Sequence, residues 1–209
     1  MMSDPQDKAG PFEKLLQEIR RCKEARTCRS LTVRPYYFEP NPETADIWRL
    51  QGCFLREIDR RVVFVCESPG PSDNRRKSAA AQQCWAGSPR DKRFQEVRSK
   101  YGLQNCYITN SVKCGVRRGT RHTDAELENC IRFLAQELEL VKPMVAVGVG
   151  GNAMHALKRL GTPSPSVSPV LFQITHYSTR RDPWRTWDNE FPELLRLLSR
   201  LKPRSEWEP

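Results

Sequence analysis

A chain of 209 residues, 38% hydrophobic and 29% charged, is long enough to bury a full core and fits one domain better than two. No run approaches the ~18 apolar residues of a membrane-spanning helix, and the opening MMSDPQDKAGPFEKLL lacks an apolar signal core, so we expect a soluble intracellular protein without a membrane partner. The 35 basic against 25 acidic residues leave a formal charge of +10, which suits a phosphate-bearing partner as well as a solvated surface.

Along the chain, residues 11–29 read as a basic amphipathic helix with Phe12, Leu15, Leu16 and Ile19 on one face. RPYYFEPNPET is a proline-rich loop. RVVFVC is a β-branched apolar run, expected as a buried strand. It passes into Glu67, Ser68 and the stiff loop Pro69-Gly70-Pro71. Residues 78–100 read as partly helical with a break around AGSPRD, and NCYITN as a second short strand. A basic loop follows. Thr123 then opens a helix to Leu140, because TDAE has the Thr-x-x-Glu form of a capping box. MVAVGVGG gives a third buried strand with NAMHALKRL as its helix, VLFQITH a fourth strand, and FPELLRLLSRLK a terminal amphipathic helix. We expect one domain over 1–209, with 1–10 and 203–209 as tails.

Strands alternating with helices imply a three-layer α/β/α fold around a four-stranded parallel sheet. Ligands on such a sheet bind beyond the carboxyl ends of its strands. Each predicted strand ends in candidate chemistry: Glu67-Ser68, Asn110, Gly150-Gly151 and His176. Four ends on one rim point to a site more firmly than any one of them. GVGGNAM lacks the spaced glycines of a dinucleotide-binding loop. The segments RRCKEARTCR, RRK, GVRRGTRH and STRRDPWR put the basic residues in or beside predicted loops.

Eight cysteines in an intracellular chain are buried small residues or metal ligands sooner than a disulfide framework. Cys22 and Cys28 have five residues between them, Cys114 and Cys130 fifteen, and both pairs are wrapped in Arg and Lys. Cationic neighbours favour thiolates, so a four-cysteine site for an iron–sulfur cluster or for zinc is a candidate. Cys53, Cys66, Cys84 and Cys106 lie in apolar or strand contexts and read as core thiols.

Several of these motifs, taken in order, resemble the uracil-DNA glycosylase superfamily, most closely its type-4 iron–sulfur branch. CESPGPSDN is similar to that branch's GEAPG motif. YITNSVKCGVRRGTRHTDAELENC resembles its ITNVVKC motif, basic loop and closing cysteine, and MVAVGVGGNAMHAL the strand and helix that follow. THYS stands where relatives carry an HPS-type motif. The resemblance covers about residues 20–200. It implies a parallel four-stranded sheet between helices, and a monomeric, monofunctional enzyme acting on single- or double-stranded DNA in base excision repair.

The resemblance also implies residue roles. Cys22, Cys28, Cys114 and Cys130 match the ligands of a 4Fe–4S cluster, with zinc as the alternative, although the first pair departs from the family's CxxC. Asn110 matches the amide that reads the uracil edge, and His176 the histidine that stabilises the leaving base. Glu67 stands where a Glu or Gln works near the sugar or the attacking water, as base or electrostatic partner. Ser68 stands where faster relatives carry Asp and type-4 members Ala. Gly70 lets backbone approach the base, and Trp85, with Phe94 behind it, is the candidate stacking platform. Ser178, Arg180, Arg181, Arg117 and Arg118 are candidates for DNA contact, with Tyr177 as another filler of the flipped base's place. His122 lies about three residues out of register with a histidine that, in one branch, bonds covalently to the abasic sugar. The departures at Ser68 and Tyr177 keep open a glycosylase-fold DNA-binding protein with little turnover, and a small-molecule hydrolase is a third reading.

Overall fold

The computed structural model describes residues 59–68, 89–113, 122–161, 168–176 and 183–201, with residues 11, 14, 15, 18, 19 and 22 ahead of them. Four strands, β1 (Asp59–Cys66), β2 (Cys106–Asn110), β3 (Val145–Val149) and β4 (Val170–Ile174), form one sheet. Their order is β2-β1-β3-β4 and every pairing is parallel. The helices are α1 (Pro89–Lys100), α2 (Asp124–Val141), α3 (Gly151–Leu160) and α4 (Pro183–Arg200).

The strand sequences account for the order. β1 and β3 lie inside the sheet with both faces covered, so they are near-continuous runs of Val, Phe and Ala. β4 is an edge, and Val170 and Leu171 remain partly exposed on it. Alternation splits the strand side chains between two cores. Val63, Val65, Tyr107 and Ala146 pack with Leu15 and Ile19 of the N-terminal helical residues, with α2, and with Ala153 and Leu157 of α3. Val62, Phe64, Ile108, Val145 and Val147 pack on the other face with α1 and α4. The sheet therefore lies between helical layers.

One boundary differs from the sequence expectation. α4 begins at Pro183, eight positions before Phe191. Proline is tolerated in a helix's first turn, and Trp187 and Phe191 then fall on one buried stripe. Phe94 belongs to the core: it is fully buried, edge-on to Phe64 at 5.6 Å between ring centroids and tilted against Trp187 at 5.2 Å. Its apolar surface lies inside the protein, and Trp85, the platform candidate it was expected to stand behind, lies outside the described residues. Cys66 and Cys106 are buried as expected, and burial pushes the Cys106 thiol far above its usual value. Among the described residues, no helix is long and apolar enough to cross a membrane.

Candidate functional site at the carboxyl rim of the sheet

Parallel pairing puts all four carboxyl ends on one edge. β1 and β2 run in register so that Cys66 faces Asn110, and β3 and β4 so that Val149 faces Ile174. The chain order reverses between β1 and β3, the switch point at which sheets of this kind open a crevice. Glu67 leaves β1 and Gly150 leaves β3 at that place.

The turn after β2 is tied to the end of β1. The Ser111 amide donates to the Cys66 carbonyl at 2.7 Å, while the Val112 amide and the Ser111 hydroxyl both donate to the Glu67 carbonyl at 2.9 Å. Glu67 and Asn110 are thus held by one knot of backbone. Asn110 is 1% exposed, and among the described residues neither its amide nitrogen nor its side-chain carbonyl oxygen has a hydrogen-bond partner. Each buried polar group left so costs about 1–3 kcal/mol. That is a steep expense at a strand end, where a Val or Thr would pack without it.

His176 follows β4. The residue before it, Thr175, is clamped by α4: its amide and hydroxyl both donate to the Glu190 carboxylate, at 2.8 and 2.7 Å, and its carbonyl accepts the Trp187 indole N–H at 2.8 Å. On the other side Gly150 has φ +90°, and a Cβ there would lie 2.8 Å from the Cβ of His176. Only glycine allows both that backbone angle and that closeness. The Gly150 amide donates to the Ile174 carbonyl at 2.8 Å, closing β3 onto β4 below the histidine.

Glu67 gathers partners from three segments. Nδ1 of His122 lies 3.3 Å from its carboxylate, outside good hydrogen-bond alignment, and the His122 side chain is 8% exposed. The capping box expected at Thr123 is present, with the Thr123 amide donating to Glu126 at 2.7 Å, so α2 starts immediately after His122 and fixes it in place. Asn152, in the first turn of α3, hydrogen-bonds the same carboxylate, and His176 acts on it through charge. Burial alone would raise the Glu67 carboxyl. The close His122 imidazole, the Asn152 side chain and the nearby His176 outweigh it and hold the carboxyl below its ordinary value.

Glu67, Asn110 and His176, far apart in sequence, therefore stand at strand ends on one rim of the sheet, Glu67 after β1, Asn110 closing the neighbouring β2 and His176 after β4, with Ser68 beside Glu67 on the outgoing chain. Sequence reasoning set His122 aside because its spacing from Cys130 was wrong; spacing along a loop does not fix position in space. It passed over Asn152 altogether. The signal for Asn152 was its place in the first turn of a helix that opens on the rim. Trp85, Gly70, Ser178, Arg180, Arg181, Arg117 and Arg118 lie outside the described residues, as do Tyr177, Cys53 and Cys84.

Of the four candidate metal ligands, Cys22 and Cys130 are described, and neither forms a disulfide with another described cysteine. Cys22 packs against the core cluster on the α2 side, and Cys130, in the second turn of α2, packs with Val112, Leu127 and Ala156. The two thus share one helical layer. Cys28 and Cys114 lie outside the described residues. Among the described residues, no group of three or more His, Cys, Asp or Glu side chains is placed to hold a metal ion.

The model of the Uracil DNA glycosylase superfamily matches residues 54–202, well over half of the chain. The chain belongs to the uracil DNA glycosylase superfamily. Two relatives are named type-4 uracil-DNA glycosylase. The one from Thermotoga maritima is 31% identical over 97 residues, 46% of this chain and 48% of that protein. The one from Archaeoglobus fulgidus is 30% identical over 101 residues, 47% of this chain and 48% of that protein. The alignments thus span about half the length of these curated relatives. A protein of Micropogonias undulatus named estrogen receptor beta is 27% identical over 173 residues, which is 77% of this chain but 22% of that protein. A match to so small a share of a receptor gives no ground for a receptor function.

Proposed function

We propose that this protein is a monofunctional DNA glycosylase that hydrolyses the N-glycosidic bond of uracil, or a related deaminated base, and leaves an abasic site. The observation that supports the reading is the buried carboxamide of Asn110, without a partner among the described residues, at the carboxyl rim of a parallel sheet next to the strand that carries Glu67. An orphaned amide is tolerable if a ligand satisfies it. Its donor and acceptor complement the N3–H and O4 of uracil, whereas cytosine presents the reverse pair.

The target base is flipped from the stack into the crevice. As the glycosidic bond opens, the sugar becomes oxocarbenium-like and charge moves onto the base. His176 donates to O2 of the departing base and stabilises the anion as it forms. Glu67, kept ionised by His122 and Asn152, faces the cationic sugar. A depressed carboxyl is a weak proton acceptor, so its role in this reading is electrostatic more than basic. Ser68 orients the attacking water without adding charge. Gly70 and Trp85 complete the base pocket, and Arg117, Arg118, Ser178, Arg180 and Arg181 grip DNA phosphates as the basic balance suggests. The 4Fe–4S cluster belongs to the same proposal, with Cys22, Cys28, Cys114 and Cys130 as its thiolates and a structural task; iron and sulfide content, lost in Cys130→Ser, tests it.

The test is incubation of the purified full chain with single-stranded and duplex uracil oligonucleotides, followed by alkali. Strand scission that disappears in His176→Ala and Glu67→Gln supports the proposal. Salt-sensitive binding without scission supports a DNA-binding protein that lacks turnover. Neither scission nor binding removes the reading.

The contact of His122 with Glu67 favours a second reading. If Glu67 holds the proton on Nδ1, the other nitrogen of His122 keeps its lone pair and can attack C1′ as the uracil anion leaves. An adduct with uracil-containing DNA that survives denaturing electrophoresis and vanishes in His122→Ala would support it; free abasic DNA alone would contradict it.

A further inference from the structure

Behind Asn110 lies a buried ion pair that base chemistry does not require. Lys113 Nζ is 2.5 Å from Glu137 Oε2, and the two side chains are 2% and 4% exposed. Burying such a pair costs several kcal/mol per ion before attraction repays it, and packed apolar side chains in its place are often as stable. Its worth must be sought in what it holds.

All three ammonium protons are spoken for. Besides Glu137, Lys113 donates to Thr109 Oγ1 at 2.9 Å and to the Asn110 backbone carbonyl at 2.7 Å. Glu137 is equally committed, accepting from Thr109 Oγ1 at 2.8 Å and from the Tyr107 hydroxyl at 3.3 Å. Tyr107 and Thr109 alternate with Ile108 and Asn110 along β2, so their side chains turn to α2 and those of Ile108 and Asn110 to the other face. Asn110 is the last residue of β2, an edge strand of the sheet. The Lys113 ammonium holds that carbonyl from the α2 side, while the carboxamide has no partner among the described residues.

We propose that Lys113 and Glu137 are positioning residues that set the Asn110 carboxamide for reading the edge of a pyrimidine base. This rests on the proposal that Asn110 is the base reader. The pair fixes a strand end from behind, so that the amide meets a base without first reorganising.

The test compares binding of two oligonucleotides, one with 2′-fluoro-2′-deoxyuridine and one with 2′-fluoro-2′-deoxycytidine at the same position. The fluorine disfavours a cationic sugar and so suppresses cleavage. Phosphate contacts are common to both and cancel in the ratio. The wild type is expected to prefer the uracil strand. The double variant Lys113→Met/Glu137→Leu is expected to keep or exceed the wild-type thermal midpoint and to lower the preference about tenfold, the size of one hydrogen bond lost. Glu137→Gln, which keeps the shape, is expected to move the ratio the same way. Leu134→Ala, a core truncation on α2, is expected to lower the midpoint and leave the ratio alone. An unchanged ratio in folded double variant and in Glu137→Gln overturns the inference; if the double variant does not fold, Glu137→Gln decides it. Equal binding of both strands by the wild type overturns the role of Asn110 itself, and the inference with it.

Discussion

The two ends of β2 each carry a buried cation, and the two are used differently. At the entering end, Arg98 of α1 is 1% exposed and donates to the carbonyls of Leu103, Gln104 and Cys106 at 2.9, 2.8 and 2.8 Å. Its guanidinium also lies 5.2 Å from the centre of the Phe64 ring and 5.9 Å from that of Phe94. Burial lowers it to about 10, which still leaves it charged at neutral pH. At the leaving end, Lys113 closes one carbonyl and a carboxylate, yet the neighbouring carboxamide is left open. One end closes the loose carbonyls of the turn into the strand; the other holds the backbone and withholds the side chain. Arg98 Nε also lacks a partner among the described residues, but its guanidinium is otherwise committed to three carbonyls, whereas both polar atoms of the Asn110 carboxamide are left open.

The difference can be broken or sharpened by substitution. The largest effect is expected at the rim: His176→Ala should slow uracil excision about 10²–10³-fold, the usual loss of one group stabilising a developing anion, with little change in thermal midpoint. Equal activity would separate the rim from the chemistry. At the closed end, Arg98→Met should cost about 3 kcal/mol of stability in urea titration, because it strands two buried carbonyls and a half-buried one, and leave the excision rate per folded molecule unchanged. A changed preference for uracil over cytosine there would erase the contrast between the ends.

A smaller effect joins the two properties. Gly150→Ala places a methyl against His176 at a φ of +90°, and should cost about 1–2 kcal/mol of stability while slowing excision by more than the unfolded fraction explains. The smallest effect is one of pH. The folded Glu67 carboxyl titrates below its ordinary value of 4.5, so its stabilising contribution is present above the unfolded value and is lost as pH falls through the folded one. The stability gap between wild type and Glu67→Gln should therefore hold from neutral pH to about 5 and close below 4.5; a gap that closes near pH 6 would place the titrating group elsewhere.

Much of this was legible in the sequence because the relevant signals are local. The apolar runs of β1 and β3 announce strands buried on both faces, and Thr123 with Glu126 announces the start of α2. A parallel sheet then brings strand ends together by topology alone, which is how Glu67, Asn110 and His176 could be named from positions far apart. What stayed hidden depends on three-dimensional packing. The contact of His122 with Glu67 joins a loop to a strand end, and no spacing rule encodes it. The Lys113–Glu137 pair joins a turn to the middle of a helix, and each residue alone reads as solvated surface.

The central claim is tested most directly by a paired measurement on Asn110→Val, thermal midpoint and uracil excision in the same preparation. Removing two unpartnered polar atoms from a site 1% exposed should raise the midpoint, by an amount corresponding to about 1 kcal/mol or more, and abolish excision. A variant that is less stable and still removes uracil would show that the carboxamide serves the fold, and the account would fail with it.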